Sequence, residues 1–163
     1  MAKIRVRLLD QEHSAGRGVG FYRSHLAEAF KQSGSIELVE SGEQLVHYPF
    51  FDLFYPTLQS QNVPTIVTIH DVAPLVYPKL YPLGFRARLA LNRQKQALRN
   101  ASAILTDSLS SKRDLVNYLD LPPEKVFVTY LAADPIYQKT PSVSALASIR
   151  KKYGLPDIFI LYV

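Results

Sequence analysis

The chain has 163 residues, 47% of them hydrophobic and 20% charged, with a formal net charge of +5 and no cysteine. This is enough apolar material for one domain with a proper core, which sets intrinsic disorder aside. The missing thiols exclude a disulfide framework, a thiolate metal site and a cysteine nucleophile, and they suit a reducing compartment.

The opening MAKIRVRLLD alternates basic and apolar residues and lacks the continuous apolar run of a signal peptide. KIRVRLL reads as a first strand, and VGFYRSHLAEAFKQSG as a helix stopped by Gly34. IELVE and EQLVHY read as short strands, the second ending before Pro49, followed by the aromatic loop PFFDLFYP. PTIVTIH is again a strand, FRARLALNRQKQALRNA a helix, and SAILTDS a strand. Ser108 then caps a helix that places Leu115, Val116 and Leu119 on one face. PPEKVFVTY turns into another strand, and Ser144 to Tyr153 forms a short helix before Gly154. No stretch reaches the roughly eighteen apolar residues of a membrane-spanning helix.

Strands alternating with helices predict an α/β fold: a Rossmann-like, mostly parallel sheet with helices on both faces. The near-continuous apolar strands TIVTI and FVTYL support burial on both sides. Ligands of such sheets lie beyond the carboxyl ends of the strands. His70 and Asp71, the glycine-rich turn after the first strand, and Asp107 with Ser108 all fall at that edge.

Gly16, Gly18 and Gly20 stand between strand and helix, where glycine permits positive φ and close approach of a ligand to a helix amino terminus. A flexible turn without a ligand fits the same residues. The spacing departs from the dinucleotide fingerprint, because Phe21 occupies the place of a third glycine. Glu40 still ends the second strand where such a fold binds ribose, which keeps a stand-alone nucleotide-binding module open as an alternative.

Adjacent His70 and Asp71 point to opposite sides of an extended chain, and His13, His25 and His47 show no ligand spacing with His70, so no metal site is expected. His70 either ties down its loop or serves a catalytic cleft. Ser108 reads as a helix cap rather than a nucleophile, because no nucleophile elbow surrounds it. Between Lys79 and Arg113 there are eight basic residues and one acidic one, Asp107. In the helix from Phe85, Arg88, Lys95 and Arg99 share one stripe, while Ala87, Ala90, Leu91, Ala97 and Leu98 form the opposite, packing side. The basic side is a solvated face or, alternatively, a contact with an anionic acceptor or membrane surface, together with the aromatic loop from Tyr48 to Tyr55.

In order and spacing, GVGFY, LVHYPFF, PTIVTIHDVAPLVYP, AILTDSLSSKRDLVNYLDLPPEKVFVTYLAADPIY and KKYGLPDIFILYV resemble the amino-terminal domain of a family 4 retaining glycosyltransferase. More narrowly, they are similar to its mannosyltransferase-like members. The resemblance implies the acceptor-side half of a two-domain GT-B fold, residues 1–156, with 157–163 starting a donor-binding domain. It implies His70 as the residue facing the transferred sugar, and Gly18, Gly20, Asp71 and Ser108 as substrate-binding, with Asp71 securing the loop. A hexose would pass from a nucleotide sugar, GDP-mannose above all, to a glycan or lipid-linked acceptor, with retention and without metal or resident cofactor. No nucleic-acid partner is expected.

The expected location is the cytoplasm, with a peripheral place on the inner face of the plasma membrane as the alternative that the basic segment and aromatic loop leave open. Phe21 stands where arginine is frequent in the family, with Arg23 close by. The paired-glutamate motif and the basic diphosphate clamp of the donor half have no counterpart, so this polypeptide alone is expected to be inactive. An unpaired terminal strand from Asp157 to Val163 would invite dimerisation.

Overall fold

Short apolar strands buried on both faces need helices to cover them, and that requirement shapes the whole sheet. The computed structural model describes residues 2–9, 18–55 and 57–162. By its internal packing the chain divides into two units, Met1–Tyr130 and Leu131–Val163. In the first unit β1 (Ile4–Leu8) leads to α1 (Gly18–Ser33), β2 (Ile36–Leu38), β3 (Leu45–Tyr48) and β4 (Thr65–Thr68). These are followed by a single-turn α2 (Ala73–Val76), α3 (Phe85–Arg99), β5 (Ala103–Thr106), α4 (Leu109–Leu119) and β6 (Val126–Val128).

The six strands form one sheet in the order β2-β1-β3-β4-β5-β6, and every pairing is parallel. The chain steps outward from β1 to β2, then crosses back to β3 and proceeds to the other edge. Right-handed crossovers therefore put α1 on one face and α3 and α4 on the other, the Rossmann-like arrangement expected from the sequence. The direction of winding reverses between β1 and β3, and in sheets of this kind ligands bind outside the carboxyl ends of the strands at such a switch point.

The core gathers Val46, Val67, Ile69, Leu98, Ile104, Leu115, Leu119 and Val126, each at most 1% exposed. Burying such a side chain stabilises the fold by about 1.5–3 kcal/mol. On α3 the predicted packing face holds: Leu98 is buried, Ala87, Ala90, Leu91 and Ala97 are half-buried, and Arg88 and Arg99 are exposed. Lys125 donates to the carbonyls of Arg99 and Ala101, at 3.0 and 3.1 Å, and so closes the last turn of α3. Ser108 caps α4 by accepting from the Ser111 amide at 3.0 Å. That helix stops at Asp120, whose φ of 54° is left-handed and whose carboxylate accepts from Lys95 at 2.7 Å. This bond holds the Asp120 carboxyl below its ordinary range.

The aromatic loop departs from expectation. Tyr48, Phe51 and Leu53 are buried, and only Tyr55 of its aromatic residues is largely exposed, so most of the loop belongs to the core. The buried amide of Gln94 explains the inward turn: its hydrogens are shared among the carbonyls of Asp52 and Tyr55 and the hydroxyl of Thr57. β6 departs too, because Phe127 stands 51% exposed on a strand of three residues. As the last strand in the order, β6 has a neighbour on one side only.

The second unit contains a turn of 3-10 helix (Pro135–Gln138) and α5 (Val143–Tyr153). Ser142 caps α5, and Gly154, at φ 59°, ends it as the sequence predicts. The expected strand over Asp157–Val163 is corrected: residues 157–162 have irregular backbone, and Val163 lies outside the described residues. A strand needs a partner for its ladder, and Ile158, Ile160 and Tyr162 are each more than 90% exposed instead.

Candidate functional site

His70 sits two residues beyond β4, and Asp107 directly follows β5. The ladder pairs Thr68 with Leu105, so two further residues on each chain bring His70 and Asp107 opposite one another. His70 Nδ1 lies 2.7 Å from Asp107 Oδ2. Both side chains are about one-fifth exposed, at 22% and 19%, so the pair stands at the lip of the sheet rather than in its interior. His70 Nε2 and Asp107 Oδ1 are buried and have no hydrogen-bond partner among the described residues.

Tyr22 completes the cluster from α1. Tyr22, Leu26 and Phe30 recur at helical spacing and turn one half-buried stripe inward. The Tyr22 ring stands edge-on to the imidazole of His70, with centroids 4.8 Å apart and planes at 89°. Its phenolic oxygen lies 3.3 Å from the hydroxyl of Thr68, which in turn lies 2.9 Å from Nε2 of His47. Burial raises the Tyr22 pKa and the Asp107 carboxylate adds to the rise, although the Thr68 bond opposes it. Tyr22 is thus a neutral hydroxyl. Burial alone lowers His47 to about 4, so His47 is a neutral structural ring beneath the site.

The other predicted residues fall nearby with different local roles. Asp71 accepts from the Ala73 amide at 2.8 Å and so starts α2, fixing the loop that leaves His70. Ser108 is occupied as the cap of α4. Gly18 and Gly20 lie in the first turn of α1 rather than in a preceding loop, and Gly18 does not take up positive φ. A Cβ at Gly18 would meet nothing within 4 Å, so its surroundings are open. Gly16 and His13 lie outside the described residues. Arg23, near the divergent Phe21, donates to the carbonyl of Leu9 at 3.2 Å and so stands beside the end of β1. Glu40 is exposed just past β2.

Sequence reasoning placed Asp107 at the correct edge without pairing it to His70, and it missed Tyr22. The offset between β4 and β5 decides the first, and no local motif encodes it. The second carried a weak signal, since Tyr22 begins the inward stripe of α1. No group of three potential metal ligands occurs among the described residues.

Two kinds of similarity accompany this geometry. The human protein named dual E2 ubiquitin-conjugating enzyme/E3 ubiquitin-protein ligase BIRC6 is 29% identical over 102 residues, covering 63% of this chain and 2% of that protein. The serotype-specific mannosyltransferase WbdA of Escherichia coli is 26% identical over 113 residues, covering 68% of this chain and 14% of WbdA. The chain thus spans a small fraction of either relative. The family model of Glycosyltransferase Family 4 matches residues 7–136, nearly the whole first unit with its sheet edge. With that sheet parallel throughout and His70 at its carboxyl edge, the chain belongs to Glycosyltransferase Family 4.

Proposed function

We propose that this chain is the acceptor-side half of a retaining hexosyltransferase that moves mannose from GDP-mannose to a glycan or lipid-linked acceptor. The observation that carries the reading is His70, presented by β4 at the lip of a parallel sheet and held there by Asp107. Similarity to a protein named a mannosyltransferase supports the sugar. Membership of the family supports glycosyl transfer.

In this reading His70 orients a hydroxyl of the transferred sugar. Gly18 and Gly20 leave room beside the amino terminus of α1, and Asp71 and Ser108 keep the two neighbouring loops in place. A misplaced sugar costs about 100-fold in rate, so holding it is a catalytic contribution in itself. Stabilisation of the departing diphosphate, commonly a large part of catalysis, belongs to a donor-binding half. The exposed apolar residues from Ile158 to Tyr162 suit the beginning of such a half.

The test joins this chain to a donor-binding half and supplies radiolabelled GDP-mannose with lipid-linked acceptors. Transfer with retained anomeric configuration is expected, falling about 100-fold in His70→Ala. Undiminished transfer by His70→Ala would remove the assignment, and turnover by the isolated chain would remove the need for a second half.

One surface favours an anionic membrane as the place where the acceptor is met. Tyr77, Leu80, Tyr81 and Phe85 are exposed together with Lys79, Arg86, Arg88 and Arg93. Apolar residues interleaved with cations fit a bilayer rich in acidic headgroups. Among the described residues no helix is long and apolar enough to cross it. Co-sedimentation with phosphatidylglycerol vesicles should be strong at low salt and collapse at high salt; equal recovery with neutral vesicles would refute this attachment.

A further inference from the structure

One ring nitrogen of His70 is committed and the other is not. Nδ1 meets Oδ2 of Asp107 at 2.7 Å. An ionised carboxylate only accepts, so the hydrogen in that contact comes from the ring. A neutral imidazole has a single N–H, and with Nδ1 carrying it, Nε2 is left with a lone pair. That nitrogen is buried and has no hydrogen-bond partner among the described residues. Buried acceptors are nearly always satisfied, and an exception points to a missing donor. The edge-on ring of Tyr22, 4.8 Å away, limits reorientation of the imidazole.

We propose that Asp107 is a positioning residue that locks His70 in its Nδ1–H tautomer, so that Nε2 receives a hydrogen from a ligand hydroxyl. This rests on the reading of His70 as the sugar-facing residue and adds a direction to it: the sugar donates and the imidazole accepts. It also sets the ligand class. A lone pair backed by a carboxylate favours a neutral polyol over a phosphate or carboxylate, which brings oxygen acceptors of its own. Nε2 is buried, so a sugar hydroxyl reaches it only if the groups over the ring give way.

The experiment is long-range proton–nitrogen NMR of the uniformly labelled full chain near pH 9, where imidazoles are neutral. The His70 signals are identified by their loss in His70→Gln. Wild type should show a protonated Nδ1 and an unprotonated Nε2. Asp107→Ala should shift His70 toward the Nε2–H form favoured by free imidazole. Asp107→Asn, whose NH2 group can donate to an unprotonated Nδ1, should likewise shift His70 toward the Nε2–H form. Unchanged His47 signals report an intact fold in both variants. A wild-type His70 with hydrogen on Nε2 or on both nitrogens overturns the proposal, as does an unaltered pattern in Asp107→Ala; if that variant does not fold, the wild-type and Asp107→Asn spectra decide. The measurement uses no sugar. A correct tautomer in an enzyme indifferent to His70→Ala therefore refutes the functional reading alone.

Discussion

Thr68 on β4 holds its hydroxyl 2.9 Å from Nε2 of His47 on the adjacent strand β3, in a layer where both residues are at most 2% exposed. Burial lowers the His47 pKa to about 4, whereas in the unfolded chain it returns to its ordinary value of 6.5. Between those two values the unfolded state binds a proton that the folded state refuses, so stability falls as pH drops. The contribution is complete above pH 6.5 and is lost progressively toward pH 4, to a total on the order of 3 kcal/mol. Urea midpoints measured from pH 7 to 4.5 should decline in the wild type and flatten in His47→Gln. Equal slopes in the two proteins would absolve His47.

Gln94 is the polar pin of the aromatic loop. Its Nε2 serves the carbonyls of Asp52 and Tyr55 and the hydroxyl of Thr57. Gln94→Leu keeps much of the volume but leaves those acceptors without a donor, at a cost of about 1–3 kcal/mol. Limited proteolysis should then cut faster between residues 51 and 59. Wild-type cleavage rates would show that the loop is held by its buried aromatics alone.

Ile104 lies at the centre of β5, fully buried between strands β4 and β6. Ile104→Ala should destabilise the chain by about 2–5 kcal/mol, because the cavity cannot collapse within a sheet paired on both sides. The denaturant midpoint should move while the slope stays constant. A loss below about 1 kcal/mol would mean that the surrounding core relaxes freely.

Lys125 reaches back to two carbonyls at the end of α3. Lys125→Met removes a cation from a helix carboxyl terminus and should cost about 1 kcal/mol. The thermal midpoint is the measurement, and salt should narrow the difference between the two proteins. An identical midpoint would mark the contact as incidental.

Much of this architecture was legible because its signals are local. Gly34 and Gly154 end helices at positive φ, Ser108 begins one, and TIVT and AILT form strands. The strand reading of TIVTIH set His70 at the carboxyl edge, and the family resemblance added only the expectation that it faces the transferred sugar. What escaped depends on tertiary register. The partnership of His70 with Asp107 spans 37 residues and follows from how β4 aligns with β5. The inward turn of the aromatic loop hinges on Gln94, a polar residue in a helix otherwise rich in cations. The misjudged terminal strand makes the same point from the other side: apolar composition supplies a strand's side chains, but its hydrogen bonds come from a neighbour.

The strand order has a consequence for biosynthesis. Once β1 and β2 have left the ribosome, β3 emerges and docks on the free side of β1, and β4, β5 and β6 then each dock on the strand made just before. Growth proceeds along a single front, so no later segment has to be threaded between strands already paired. Nascent chains ending near residue 110 should already protect the amides of β1, β3 and β4, while those of β5 await the arrival of β6.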